Sequence, residues 1–192
     1  MDSFLPTDYK EPETSGYMKL DEGTNTFRIL GSAITGYEYW VTVNNKRTPK
    51  RVRMNETVQM GALEINPKTG ELDIPKVFWA FPVWNYKAEK VQILELKQKT
   101  IRDAIRSLVG NKKWGAPTAY DIVVTRDDST GKTKYATTPD PKEEVDPKIT
   151  AMFKSMYLNL NKLYDGGNPF VNDEIVKKED VVLTKKQEDE IK

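Results

Sequence analysis

The 192-residue sequence contains no cysteine and no histidine. Without cysteine there is no disulfide, no thiolate nucleophile and no Cys-based zinc site. Without histidine the usual general base near neutral pH and the usual neutral metal ligand are missing together. Chemistry through carboxylates and a metal stays open in principle, yet the sequence does not read as an enzyme and calls for no cofactor. No run approaches eighteen consecutive apolar residues, which excludes a transmembrane helix. Met1-Asp2-Ser3-Phe4 lacks the basic and apolar segments of a secretory signal, so the expectation is a cytoplasmic protein. Neither G-x-x-x-x-G-K-[ST] nor G-x-G-x-x-G occurs.

What is present is segregated charge. The formal net charge of +1 conceals −4 on residues 1–22 and −2 on residues 171–192, leaving +7 on residues 23–170. A basic body between acidic ends suits a polyanionic partner. Residues 1–22 have no apolar period and read as a flexible acidic leader. Thr24–Leu30 and Ile34–Val43 are rich in β-branched and aromatic residues and read as one long first strand, bent at Gly31, Gly36 or both. Asn44–Arg53 reads as a polar, basic loop. Val77–Tyr86 is a second strand, with Pro82 marking an edge or bulge. A short turn leads into a third strand, Lys90–Gln98.

Thr100 then caps a helix whose apolar face is Ile101, Ile105, Leu108 and Val109, with Asp103 completing a capping-box variant and Gly110 ending it. Strands four, Tyr120–Arg126, and five, Lys132–Thr138, flank the turn Asp127-Asp128-Ser129-Thr130-Gly131. Three strands, a helix and two strands is the order of an OB-fold. The expected fold is therefore mainly β, a five-stranded OB-type barrel over residues 23–139 with a helix between strands three and four. A C-terminal helix over 146–165, started by Asp146 and Pro147, carries an apolar stripe of Ile149, Met152, Phe153, Met156, Leu160 and Leu163. That stripe either packs on the barrel or forms a dimer or filament contact. A charged tail follows over 170–192.

Two features point to nucleic acid. The first is Phe78-Trp79-Ala80-Phe81-Pro82-Val83-Trp84-Asn85-Tyr86, whose rings alternate between the two faces of the strand. A barrel core needs one face; unless something covers the other, its rings are free to stack on bases. Trp84 and Tyr86, nearest the polar end, are the preferred stacking residues. The second is the basic stretch, where five of the eight residues from Lys46 to Arg53 are cations: Lys46, Arg47, Lys50, Arg51 and Arg53. It follows Tyr37, Tyr39 and Trp40, so cations for phosphates and flat rings for bases share one junction. Lys97 and Lys99 add charge after strand three, and Arg126, Lys132, Lys134 and Tyr135 do so at the last hairpin. Trp114 either plugs the bottom of the barrel or stacks a base beside Lys112 and Lys113.

The ordered set Phe27-Arg28-Ile29-Leu30, Phe78-Trp79-Ala80-Phe81-Pro82-Val83, Val91-Gln92-Ile93-Leu94-Glu95-Leu96, Trp114-Gly115-Ala116-Pro117, Tyr120-Asp121-Ile122 and Thr133-Lys134-Tyr135 resembles the bacteriophage single-stranded DNA-binding proteins of the OB-fold group. The resemblance implies coating of single strands during phage DNA replication, recombination and repair, in the cytoplasm of the infected bacterial host. It also implies recruitment of phage or host replication proteins through the C-terminal tail. That tail is only mildly acidic here. A zinc site occurs within the group, and this chain lacks the cysteine and histidine for it. Two other readings compete: an OB-type module that binds protein through the 149–163 helix, and a metal-dependent nuclease acting through carboxylates.

Overall fold

A computed structural model describes residues 16–172. They form eight strands: β1 Tyr17–Met18, β2 Gly23–Ile29, β3 Ile34–Val43, β4 Lys46–Arg53, β5 Lys76–Asn85, β6 Lys90–Leu96, β7 Tyr120–Asp127 and β8 Lys134–Lys142. Two α-helices accompany them, α1 Lys99–Gly110 and α2 Pro147–Ser155. The fold is mainly β, with eight strands where five were expected. They lie in one sheet ordered β1-β6-β5-β2-β7-β8, with β3 pairing β5 and β4. All pairs are antiparallel except β1 with β6. Among the described residues the sheet does not close into a ring, because β6 is flanked by β1 and β8 pairs only with β7.

The long first strand exists as two segments that share a partner. Ile29 pairs with Val83 and Ile34 with Ala80, so β2 and β3 follow one another along β5 across a bend at residues 30–33. Gly31 sits in that bend, where an added Cβ would lie 3.1 Å from the Pro82 ring and 3.4 Å from Phe153. The same bend accommodates Pro82 within a central strand. Its carbonyl accepts from the Leu30 amide, so its missing N–H points to where the ladder is interrupted. Against β6 the register runs unbroken from Trp79↔Leu96 to Asn85↔Lys90, so no bulge occurs there.

The expected basic loop is instead strand β4, hydrogen-bonded along β3 from Gly36↔Arg53 to Val43↔Lys46. Asn44 and Asn45, both at positive φ, close this hairpin with two residues. The leader expectation is shortened too: Tyr17–Met18 pairs with Ile93 and Leu94, while residues 1–15 lie outside those described.

Alternation divides the side chains of β5 and β6 between two apolar layers. Phe81, Val83, Leu94 and Leu96 join Phe27, Ile29, Ile122, Val124 and the α1 residues Ile101 and Ile105 in the main core. On the other face, Phe78, Ala80 and Ile93 pack with Leu163, and Trp84 and Val91 pack with Ile149. Strands covered on both faces need nearly continuous apolar sequence, which explains the density of rings in β5. Each such side chain contributes about 1.5–3 kcal/mol by leaving water. Helix α1 lies against both β8 and β6. Gln98 rather than Thr100 precedes it, and Asp103 pairs with Lys99 and Arg106 instead of capping.

The C-terminal helix is shorter than expected. Asp146 accepts from the Lys148 amide and Pro147 opens α2, but the helix stops after Ser155. The chain runs extended through Met156 and makes one 3-10 turn at Leu160–Leu163. The apolar stripe thus reaches the sheet in two pieces, Ile149 with Phe153 and Met156, then Leu160 with Leu163. Among the described residues no helix is long and apolar enough to cross a membrane. The charged tail over 170–192 lies outside the described residues beyond Asn172.

Candidate nucleic-acid interface

The sixteen residues singled out in the sequence fall mainly on two hairpins. Tyr37, Tyr39, Trp40, Lys46, Arg47, Lys50, Arg51 and Arg53 lie on the β3–β4 hairpin. Arg126, Lys132, Lys134 and Tyr135 lie on or between β7 and β8. Trp84 and Tyr86 mark the far end of β5, Lys97 follows β6, and Lys99 opens α1.

Cross-strand pairing sorts the first hairpin into two faces. Tyr37, Tyr39 and Val41 share a side with Val52, Lys50 and Thr48. Glu38, Trp40 and Thr42 share the other with Arg51, Pro49 and Arg47. On the second face the arginines lie over rings: Arg47 5.3 Å from the Trp40 centroid, Arg51 4.9 Å from Phe78 and Arg53 4.4 Å from Tyr164.

Acid partners then separate structural cations from available ones. Arg51 donates to both oxygens of Glu95 at 2.9 and 2.7 Å and to Glu38 at 2.9 Å. Burial opposes its charge, but the hydrogen bonds and charges of Glu95 and Glu38 outweigh that, and its pKa is raised. Lys97 donates to the other Glu38 oxygen. Glu38 itself is 4% exposed, so these two cations neutralise a buried carboxylate. Taking either away for a phosphate would leave that buried charge with one cation instead of two. Arg51 and Lys97 are therefore corrected from phosphate contacts to structural residues.

Arg47 pairs with Asp73, Arg53 with Glu56 at 3.2 Å, Lys99 with Asp103 and Arg126 with Asp128 at 2.8 Å. Asp73 is buried, which ties Arg47 down. The pairs of Arg53, Lys99 and Arg126 are more open to water, are worth about 0–1 kcal/mol, and exchange for a phosphate at little cost. Lys46, Lys50, Lys132 and Lys134 are exposed and have no acid partner among the described residues.

The rings sort in the same way. Tyr39 is 1% exposed and Trp84 8%, so neither offers a stacking face, and both are corrected to core residues. The C-terminal segment covers Trp84, through Ile149 with Phe153 and Met156. Tyr37, Trp40 and Tyr135 are half-buried and Tyr86 is exposed. The Tyr86 hydroxyl donates to Asp121 at 3.1 Å. Burial first, then that carboxylate, pushes its pKa up to about 12. Trp114 packs edge-on against Tyr120, with centroids 5.3 Å apart, at the margin of the main core.

What the sequence reading missed are the acids. Glu38, Asp73 and Glu95 decide which basic residues are free, and Asp121 holds the buried Arg28. One signal was present: a lone Glu38 between Tyr37 and Tyr39 in a strand requires a paired cation if that strand is buried. No family model matches the chain, and no curated protein matches it either.

Proposed function

We propose that this protein binds single-stranded DNA without reading its sequence, on an OB-type barrel. The architecture supports the fold half of this reading. A bent strand, β2 with β3, pairs with the meander β5–β6; a helix follows; β7 returns to β2, and β8 pairs with β7. The OB-fold has this order, with α1 here lying between the two strands, β6 and β8, that would meet on closure. The likeness of the ordered motifs to phage single-stranded DNA-binding proteins supports the role in replication, recombination and repair.

One observation carries the function half. Four lysines without acid partners, Lys46 and Lys50 on one hairpin and Lys132 and Lys134 on the other, stand exposed, and the half-buried Tyr37 shares a face of its hairpin with Lys46 and Lys50. Free cations suit phosphates, and partly open rings suit base faces whatever the base. No bond is made or broken, so no catalytic residue or cofactor enters.

The test is tryptophan fluorescence titrated with oligo-dT, repeated with matched duplex and across a salt series. Quenching by single strands, weak duplex binding and loss of affinity with salt is the expected result. Unchanged fluorescence and mobility at low salt would overturn it. A protein-binding module is the second reading, favoured by the excursion between β4 and β5. Met54, Met60, Ile65, Leu72 and Ile74 all stand exposed there, Met60 and Ile65 at 64% and 65%. Within the 149–163 segment Ile149 and Leu163 are buried on the sheet, while Met152 and Tyr157 stay exposed.

A further inference from the structure

At one end of the main core, the β2–β3 bend, the second half of α1 and the turn at Pro117–Ala119 enclose a cavity of about 470 Å³. That falls within the range of pockets that bury a small organic ligand, about 300–1,000 Å³. Trp79, Phe81 and Pro117 make it largely apolar, and Ser32, Thr118 and Arg106 are the polar residues among its lining. None of its lining residues is acidic.

We infer that this cavity takes one nucleobase of a bound single strand, with the adjoining phosphate on Arg106. The inference rests on the single-stranded DNA reading and names a contact away from the two hairpins. Three observations carry it. The walls offer the flat apolar surface that base faces need, and Trp79 is the only tryptophan among them. A hydroxyl both donates and accepts, so Ser32 and Thr118 suit the edge of any base, in keeping with sequence tolerance. The charge is complementary to a phosphate. Arg106 is held only by a surface pair to Asp103 at 2.8 Å, its side chain 72% exposed, and such a pair yields readily. Beside it Arg102 lies 5.9 Å over the Trp79 ring, and its Nε is buried without a hydrogen-bond partner.

The experiment uses the full chain and oligo-dT carrying 5-iododeoxyuridine, irradiated and mapped by mass spectrometry, alongside affinities for two variants. Ala33→Phe, at an exposed lining position, fills the cavity; Arg106→Glu reverses its cation. The crosslink is expected on Trp79 or Phe81. Each variant should lose about five- to tenfold in affinity, within the effect of one stacked base. Arg106→Glu should also flatten the salt dependence by about 0.7 in log–log slope, while Ala33→Phe leaves it unchanged. Melting temperatures identify a variant that fails to fold, in which case the other, with the crosslink, decides. Undiminished affinity in both variants with crosslinks only on the hairpins overturns the base pocket and leaves the function standing. Absence of any oligo-dT binding by the unaltered protein overturns both.

Discussion

Lys50 and Arg51 adjoin in β4, and the alternation of a strand sends their side chains to opposite faces. Lys50 stands beside Tyr39 with no acid partner, whereas Arg51 reaches Glu38 and Glu95 and is itself 12% exposed. Arg51→Ala is expected to cost about 3–5 kcal/mol in urea denaturation, because it leaves the Glu38 carboxylate with only Lys97. Lys50→Ala should change stability by about 0.5 kcal/mol or less and weaken oligo-dT binding instead. Equal stability losses in the two would mean that the Glu38 cluster does not distinguish them. The contrast was illegible in the sequence because the acids that decide it are remote. Glu95 lies 44 residues from Arg51, and Asp73 lies 26 from Arg47. Counting cations in a window reads charge but not its neutralisation.

At the scale of elements, what was legible depended on whether one face of the element was apolar. Strands β5, β6 and β7 were found within about two residues of their ends, since their apolar side chains leave no other place for them. The stretch that became β4 has cations on both faces and a proline at position 49, so it carries no period of two and reads as loop. Its pairing comes from β3 and the Asn44-Asn45 turn rather than from its own apolar content. The C-terminal stripe had the opposite fault. Its helical spacing ran past Ser155, but no glycine or proline marks the break at Met156. There the chain follows the sheet instead, placing Leu160 and Leu163 over Phe78 and Ile93. The covering role of this segment gives a prediction. Asp146→Ala, which removes the N-cap, should cost about 1 kcal/mol. Ile149→Ala should cost about 2–5 kcal/mol and red-shift emission from Trp84. Both should hold oligo-dT affinity within about twofold, the lost contacts being internal to the fold. A large affinity change in the cap variant would make this segment part of the interface.

For the molecule as a whole, the question is how much of the +7 carried by residues 23–170 is felt by a polyanion. Six of the ten cations singled out as phosphate contacts are engaged by carboxylates, and the other four are divided between two hairpins. The strand running from Gly23 through Val43 links them. Its first residue pairs beside Arg126 at the β7–β8 turn, and its last pairs with Lys46 at the β3–β4 turn. A single strand that touches both hairpins therefore follows the length of this bent strand. Binding released by salt measures how many phosphates are held, at about 0.7 in log–log slope per contact for single strands. Replacing Lys46, Lys50, Lys132 and Lys134 together by alanine should lower the magnitude of that slope by about 3. Replacing only the pair on either hairpin should lower it by about half as much. Because all four side chains are exposed and unpaired, the melting temperature should hold in every variant. If one pair carries the whole change and the other none, the strand is held by a single hairpin and does not span the sheet. If neither pair moves the slope, the phosphates are met by Arg53, Lys99 and Arg126 through exchange of their surface partners, and those three become the residues to replace.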